Sequence, residues 1–316
     1  MNFIKTLIQN RKLVFGLGKS DFKNRFANTS LGSIWGFLQP FVFMLTYVIV
    51  FQYILKVGSS GNYPYVSWYL PAMAMWMTVN DTIINASNSI RAYSYLVKKV
   101  VFPVDTIPLI SIISSSFVSM FLFVIAIVVS SIFGYVPNFL ILIYAIFAAY
   151  CFIIAFTRFT SAIVTLVPDF SQLLNIVMQL FFWFTPIIWN IQMLAEQPWV
   201  ARILQCIPFT YLVSAARQAF IGENIITKGY GIYTLIFWVI ISSNFSNPFI
   251  SCWRSRLCGA VATHKSHFSI VNGVSIFAVG YIVKCVVHLE CISVYVVSVA
   301  VGYFRMVRKR SPPCFP

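Results

Sequence analysis

The chain is short of charge. Of its 316 residues, 22 are Lys or Arg and seven are Asp or Glu, 9% in all, whereas 59% are hydrophobic and mean hydropathy is +0.84. A soluble domain is about one quarter charged, because its surface must be hydrated. The deficit therefore excludes a water-soluble globule of this size and makes lipid the solvent for most of the chain. Acids are scarcest and scattered singly, which leaves no carboxylate pair for glycosyl transfer or hydrolysis. Neither HExxH nor GxSxG occurs. The three histidines, His264, His267 and His288, fall in the last quarter, without the further convergent ligands a metal needs. Seven cysteines show no metal-type spacing, and Cys151 lies inside an apolar run. Neither a catalytic group nor a metal site is expected.

What charge there is carries one sign, +15 net. The bases flank apolar runs instead of forming a stripe on a soluble fold, so they read as membrane-topology signals and not as a nucleic-acid surface. A spanning helix needs about 20 mostly apolar residues. Five runs near that length stand at 37–55, 65–86, 106–133, 139–166 and 172–189, and a shorter one at 232–241 begins a sixth. Helices are expected throughout, since only a helix satisfies its own backbone in lipid without closing a barrel. Lys5, Arg11, Lys12, Lys19, Lys23 and Arg25 before the first run, and Arg91, Lys98 and Lys99 after the second, put the N-terminus and that connection in the cytoplasm. Phe3, Ile4, Leu7, Ile8 and Phe15, near helical spacing among bases, suit a helix lying flat in the headgroup layer. Residues 190–231 fall on the opposite side. There Pro198 and Pro208 break an apolar stretch into 199–207 and 209–221, each too short to cross. Two half-entering helices, or an amphipathic hairpin on the surface, fit that pattern.

Gly16-Leu17-Gly18-Lys19-Ser20 ends like a phosphate-binding loop, but Leu13 stands where the loop needs a Gly and no buried strand precedes it. ATP chemistry, if any, belongs to another chain. Two ionisable residues lie within expected spans, Asp81 and Arg158, roughly 14 to 15 Å from the cytoplasmic ends by helical rise. At matching height they pair, or both face a polar pathway; the alternative is that each meets water or a backbone group by itself. Phe181, Phe182, Trp183 and Phe184 point all round their helix, so at most two face one pathway, and lipid-facing aromatics are the common explanation.

Four segments in order carry a family likeness: Asp21-Phe22-Lys23-Asn24-Arg25-Phe26 with Leu31-Gly32-Ser33-Ile34-Trp35 and Leu38-Gln39-Pro40; Leu96-Val97-Lys98-Lys99-Val100-Val101-Phe102-Pro103; Phe184-Thr185-Pro186-Ile187-Ile188-Trp189; and Pro208-Phe209-Thr210-Tyr211 with Arg217-Gln218-Ala219-Phe220. Together, through about residue 241, they resemble the membrane permease of type-2 ABC exporters that carry bacterial cell-surface polysaccharides. The resemblance implies an all-α integral membrane fold: a six-span permease domain (34–241) behind a cytoplasmic amphipathic interface segment (1–33). It implies a homodimer in the bacterial inner membrane, bound to two ABC ATPase subunits that hold the ATP and Mg. The cargo it implies is a lipid-linked polysaccharide such as O-antigen or teichoic acid. It favours the half-entering helices, and assigns ATPase coupling to the connection 91–103, with Arg91, Tyr95, Lys98, Lys99, Phe102 and Pro103. An exit gate falls on Pro208, Phe209, Tyr211 and Arg217, and a pathway on Asp81, Arg158, Phe182 and Trp183. The rival readings are an ion-coupled secondary transporter using Asp81 and Arg158, which would bring inverted repeats that the sequence does not display, and a membrane glycosyltransferase.

Residues 242–316 depart from the likeness. After residue 241 the chain turns to Ser242-Ser243-Asn244-Phe245-Ser246-Asn247-Pro248, and beyond it lie five of the seven cysteines, all three histidines, eight bases and one acid, Glu290. Proline is ill-suited to the centre of a span. The composition reads as a shifted frame or a fusion, the rival being a seventh span over 286–304 anchored by Arg305, Arg308, Lys309 and Arg310. Resequencing the gene over codons 235 to 250 is expected to find the shift, and an intact frame would sink that reading.

Overall fold

The computed structural model describes residues 3–54, 64–93, 106–191 and 198–222, together with 235, 236 and 238–240 of the sixth run. Every regular element among them is helical. In chain order these are α1 (Phe3–Arg25), α2 (Trp35–Val48) prolonged by a π-helical stretch (Ile49–Ile54), α3 (Tyr65–Ala92), α4 (Ile107–Ile132), α5 (Phe139–Leu166), α6 (Phe170–Phe184), α7 (Pro198–Gln205) and α8 (Pro208–Ile221). The run 232–241 is described only in pieces, and the tail lies outside the described residues.

Three helical stretches are both long and apolar enough to cross a membrane: Gly32–Ile54, Ile107–Ile132 and Phe139–Thr165. They take up the first, third and fourth expected spans. The second is different. At 28 residues α3 reaches about 42 Å, six residues beyond the expected end, yet it is not apolar enough to meet lipid by itself. Its polarity is tolerated because twenty of its residues are buried against α4, α5 and α8, with α2 and α6 alongside. An Asp at the centre of a lone span costs about 2.5 to 3.5 kcal/mol, so a helix carrying Asn80, Asp81, Asn85 and Asn88 belongs inside the bundle and not at its rim.

The turns between helices follow from local chemistry. Between α4 and α5, Gly134 takes φ +85°, a left-handed cap that only glycine adopts freely. Asn138 then caps α5, its side chain accepting from the Leu140 and Ile141 amides at 3.1 and 3.5 Å. Chain direction divides the bundle into two ends. The end bearing α1, the start of α4 and the end of α3 is here the N-terminal end; the start of α3, the end of α4 and the start of α5 form the far end.

The expected fifth span, 172–189, is corrected at its end. The helix stops at Phe184, and Thr185 is extended (φ −75°, ψ 132°) because Pro186 bars its predecessor from the helical region. The chain then climbs without helix through Thr185, Pro186, Ile187 and Ile188, all buried. Phe182 lies beside Trp76, eleven residues into α3, while Ile188 lies beside Tyr65 at its start. This crossing is thus half helix and half non-helical backbone, bent at Thr185–Ile187 where the Ile187 amide donates to the Thr185 carbonyl at 2.7 Å.

The pair α7–α8 is bent by 85°. Helix α8 runs antiparallel to both α3 and α5. Arg217 meets Trp68, and Phe209 meets Trp76; Ala219 meets Asn138, Tyr211 meets Tyr144, and Phe209 meets Phe152. Phe209 therefore lies at mid-depth and Ile221 at the far end, where the backbone of 185–189 also arrives. Helix α8 thus climbs from mid-depth back to the far end and is buried, which suits a half-entering helix and not a surface hairpin.

Helix α1 crosses the first half of α4. Phe15 and Phe22 both contact Phe117, at 6.4 and 5.8 Å between ring centroids, and Gly18 sits on Ile110 and Ile113. The Gly16–Ser20 stretch is continuous helix, so Gly18 serves close packing and not phosphate binding. A Cβ on Gly18 would stand 2.7 Å from Ile113 Cγ2 and 3.1 Å from the Ile110 carbonyl. Gly18→Val is expected to lift α1 off α4 at a cost of about 1–3 kcal/mol. Thermal unfolding of the detergent-solubilised protein measures the loss, and parent-like stability of Gly18→Val would refute the contact.

Candidate functional site

Irregular backbone at membrane depth needs partners inside the protein, because no water is present to supply them. Arg217 on α8, 6% exposed, supplies two. Its Nε donates to the Trp68 carbonyl at 3.2 Å and an Nη to the Ile187 carbonyl at 2.5 Å, with the guanidinium carbon 3.5 Å from the centroid of the Trp68 ring. Tyr65 donates to the Ile188 carbonyl at 3.4 Å, and the Trp189 indole donates to the Trp183 carbonyl, at the end of α6, at 3.1 Å. At the end of α8, the Asn138 amide donates to the Ala219 carbonyl at 2.6 Å. One arginine thus fastens α8, the non-helical segment and the first turn of α3 together.

Below this clamp lies an aromatic plug. Tyr47, Phe51, Tyr65 and Tyr69 form a run of near-parallel rings 5.7 to 6.3 Å apart, and Phe182 closes on Tyr47 and Trp76 at 5.8 and 5.9 Å. Phe209 completes it against Trp76, Phe152 and Phe181. Of the residues expected at the exit gate, Pro208, Phe209, Tyr211 and Arg217 are all buried on α8, with Tyr211 hydroxyl-bonded to Tyr144 at 2.9 Å. The two aromatics expected in a pathway divide: Phe182 is buried in the plug, whereas Trp183 is 57% exposed on the outer surface.

Towards the N-terminal end the character of α3 changes. Met77, Asn80, Asp81, Ile84, Asn85, Asn88 and Arg91, at helical spacing, are the face that the protomer leaves partly open; Asn80, Asp81, Asn85 and Asn88 make it polar. The positions that continue this face upward, Leu70 and Met73, are buried. A polar face opens at the N-terminal half and ends blindly at the plug. No pattern of single charges in the sequence announces this, but the spacing of the three asparagines about Asp81 does.

Asp81 and Arg158 stand half-buried, but among the described residues they make no ion pair with each other. Asn85 Nδ2 donates to both the Asp81 carboxylate and its carbonyl, each at 2.8 Å, which satisfies the acid along its own helix. Their expected match in height is also displaced. Ser87 bonds Thr160 at 2.6 Å, which sets Arg158 level with Asn85, one turn below Asp81. The reason is that α3 runs on to Ala92 while α5 stops at Leu166.

At the N-terminal end a node that the sequence reading did not single out joins three helices. Asp21 on α1 accepts from Arg25 at 2.9 Å and from the Tyr93 hydroxyl at the end of α3, and Arg25 donates to Ser115 on α4 at 3.4 Å. Arg91 is exposed just before it. Tyr95, Lys98, Lys99, Phe102 and Pro103 lie outside the described residues.

Residues 12–221 match the ABC-2 type transporter family. The chain belongs to that family. It is 20% identical over 222 residues to the O-antigen export system permease protein RfbA of Myxococcus xanthus, covering 70% of this chain and 84% of that protein. Two proteins of the same name from Klebsiella pneumoniae are 26% and 25% identical over 97 residues, 31% of this chain and 36% of theirs. The matched region holds α1 from Lys12 onward, the plug, the clamp and the bent pair α7–α8. The match stops at Ile221, before the sixth run and the tail.

The clamp generates a prediction. Arg217→Met keeps length but leaves the Ile187 carbonyl unanswered and removes the second bond to the helical Trp68 carbonyl, at an expected cost of about 1–3 kcal/mol. Arg217→Lys, a point donor that cannot span both, should fall between. Thermal unfolding of the detergent-solubilised protein measures both, and parent-like stability of Arg217→Met would remove the clamp from the argument.

Proposed function

We propose that this chain is the transport subunit of an ATP-driven exporter that moves a lipid-linked polysaccharide outward across the bacterial cytoplasmic membrane. It works as a homodimer, with ATP hydrolysis on separate ATPase chains and its own N-terminus in the cytoplasm. The observation that carries the reading is the open polar face of α3. Asn80, Asp81, Asn85 and Asn88 cannot face lipid, so a second subunit across a water-filled path is the natural cover. The relatives' printed function, O-antigen export, supports the cargo class. The positive flanks of the first spans support the orientation.

In this mechanism the chain performs no covalent chemistry. The ATPase pushes on the connection 91–103, in which Tyr93 is held to α1 through Asp21. Motion delivered there moves α3 as a rod, and α3 carries both the polar face and half of the plug. The reading is tested by co-purifying the chain with its ATPase and following export in vesicles. Vanadate-sensitive export is expected; activity driven by an ion gradient without an ATPase would overturn it. Lys98→Glu with Lys99→Glu is expected to leave membrane insertion intact and weaken ATPase association about tenfold or more, as loss of close charge pairs does elsewhere. Unchanged complex formation would count against docking through this connection.

A further inference from the structure

We infer that the open face of α3 is a hydrogen-bond track built for the hydroxyls of an uncharged glycan, and that it disfavours polymers carrying phosphodiesters along their length. The inference rests on the export reading above and narrows its cargo. Three observations carry it.

The first is geometric. Asn80, Asp81, Asn85 and Asn88 lie on one face over three turns, the only stretch of α3 that is both polar and partly open. The same face is sealed above by buried Leu70 and Met73 and flanked by the Tyr47–Tyr69 stack. Anything in the track therefore enters from the N-terminal end and meets aromatic rings next.

The second is the direction of the hydrogen bonds. Asn85 Nδ2 is turned back on Asp81, donating to both its carbonyl and its carboxylate, and Asn88 Nδ2 donates to the Ile84 carbonyl at 2.9 Å. Those carbonyls and the carboxylate are acceptors only, so the amide nitrogens must face them. The amide oxygens of Asn85 and Asn88 and the remaining Asp81 oxygen are left for a ligand, together with the second Asn88 N–H and the Asn80 amide. The track offers acceptors and donors side by side.

The third is complementarity. A sugar hydroxyl donates as well as accepts, so a polyhydroxyl chain answers such a surface at every residue. A phosphodiester accepts only and is negative, so it can answer the Asn80 and Asn88 N–H groups but none of the acceptors, and it meets the Asp81 charge. Arg91, the cation on this face, stands exposed at its foot and not along it. Arg158, level with Asn85 on α5, already has an interaction of its own. Aromatic rings beyond the track continue the match, since they stack on the CH faces of sugars and offer nothing to phosphate.

The test uses the chain with its ATPase in proteoliposomes and two probes, a lipid-linked neutral hexose polymer and a lipid-linked poly(glycerol phosphate). The neutral polymer is expected to be exported about tenfold faster or more, and Asn85→Leu with Asn88→Leu to slow it about three- to tenfold, the scale of one or two hydrogen bonds. Membrane level and ATPase association are measured in the same samples. Asp81→Asn, which keeps the shape and removes the charge, is expected to raise poly(glycerol phosphate) export and narrow the preference. Equal export of both polymers by the parent, or undiminished export of the neutral one by the folded double variant, overturns the track alone. Vanadate-sensitive export of neither polymer overturns the transport reading and the track with it.

Discussion

Backbone that is not helical cannot sit at membrane depth unless the protein answers its carbonyls, and in this chain one guanidinium does so. Pro186 ends α6 halfway through its crossing and leaves Thr185 to Ile188 non-helical and buried. Arg217 responds from another helix, reaching Ile187 and Trp68 at once. Burying an arginine costs several kcal/mol in desolvation. Two charge-assisted hydrogen bonds of about 1.5–3 kcal/mol each and a desolvated cation–π contact of about 2 kcal/mol are of the size needed to offset it. The alternative, an orphaned Ile187 carbonyl in an apolar interior, would itself cost about 1–3 kcal/mol. Once α8 is fixed this way its end falls under the α4–α5 turn, where Asn138 closes the Ala219 carbonyl, and the half-entering path follows.

The clamp also explains why α3 is the helix the others surround. It starts at Tyr65 and Trp68 under the clamp and ends at Tyr93 on the Asp21 node, so it links the two ends of the bundle in one rod. Small and hydroxylated residues let its neighbours approach: Ser87 meets Thr160 directly, and Ala72, Ala74 and Ala86 are fully covered. Close packing of this kind is what drives helix association where lipid is as apolar as the core. Lipid-facing apolar residues are displaced to α2, α4, α5 and α6, whose exposed Phe41, Val128, Leu140 and Ile176 are typical.

Much of this was legible in the sequence where one residue type decides the outcome. The fourth span matches residue for residue because Asn138 caps it and apolar residues fill it. The interface helix and the broken stretch after Pro198 followed from charge and proline alone. The misplacements are equally specific. The end of α3 was set too early because Asn85 to Ala92 read as leaving the membrane, when those polar residues stay within the bundle and on its open face. The end of α6 was set too late because Ile187, Ile188 and Trp189 are apolar, although Pro186 had already forbidden the helix. The Asp81–Arg158 pair failed because depth was counted from ends that differ by a turn. Contacts such as Asp21 with Tyr93, or Gly18 with Ile113, join residues 72 and 95 apart and leave no local trace.

The two seams that hold α3 at the far end are unequal, and the inequality has a direction. Towards α8 and the non-helical segment stand ionic hydrogen bonds to two carbonyls, of which Ile187 has no helical partner; parting them would strand that carbonyl and the buried guanidinium. Towards α2 stand ring contacts, Tyr47 on Tyr69 and Phe51 on Tyr65, each about 0.5–1.5 kcal/mol beyond its area. Aromatic rings separated from one another can stack on other apolar or CH-rich groups, whereas a stranded carbonyl in an apolar interior cannot be replaced so readily. The seam between α2 and α3 is therefore the one that opens at least cost, and it is the seam directly above the polar face.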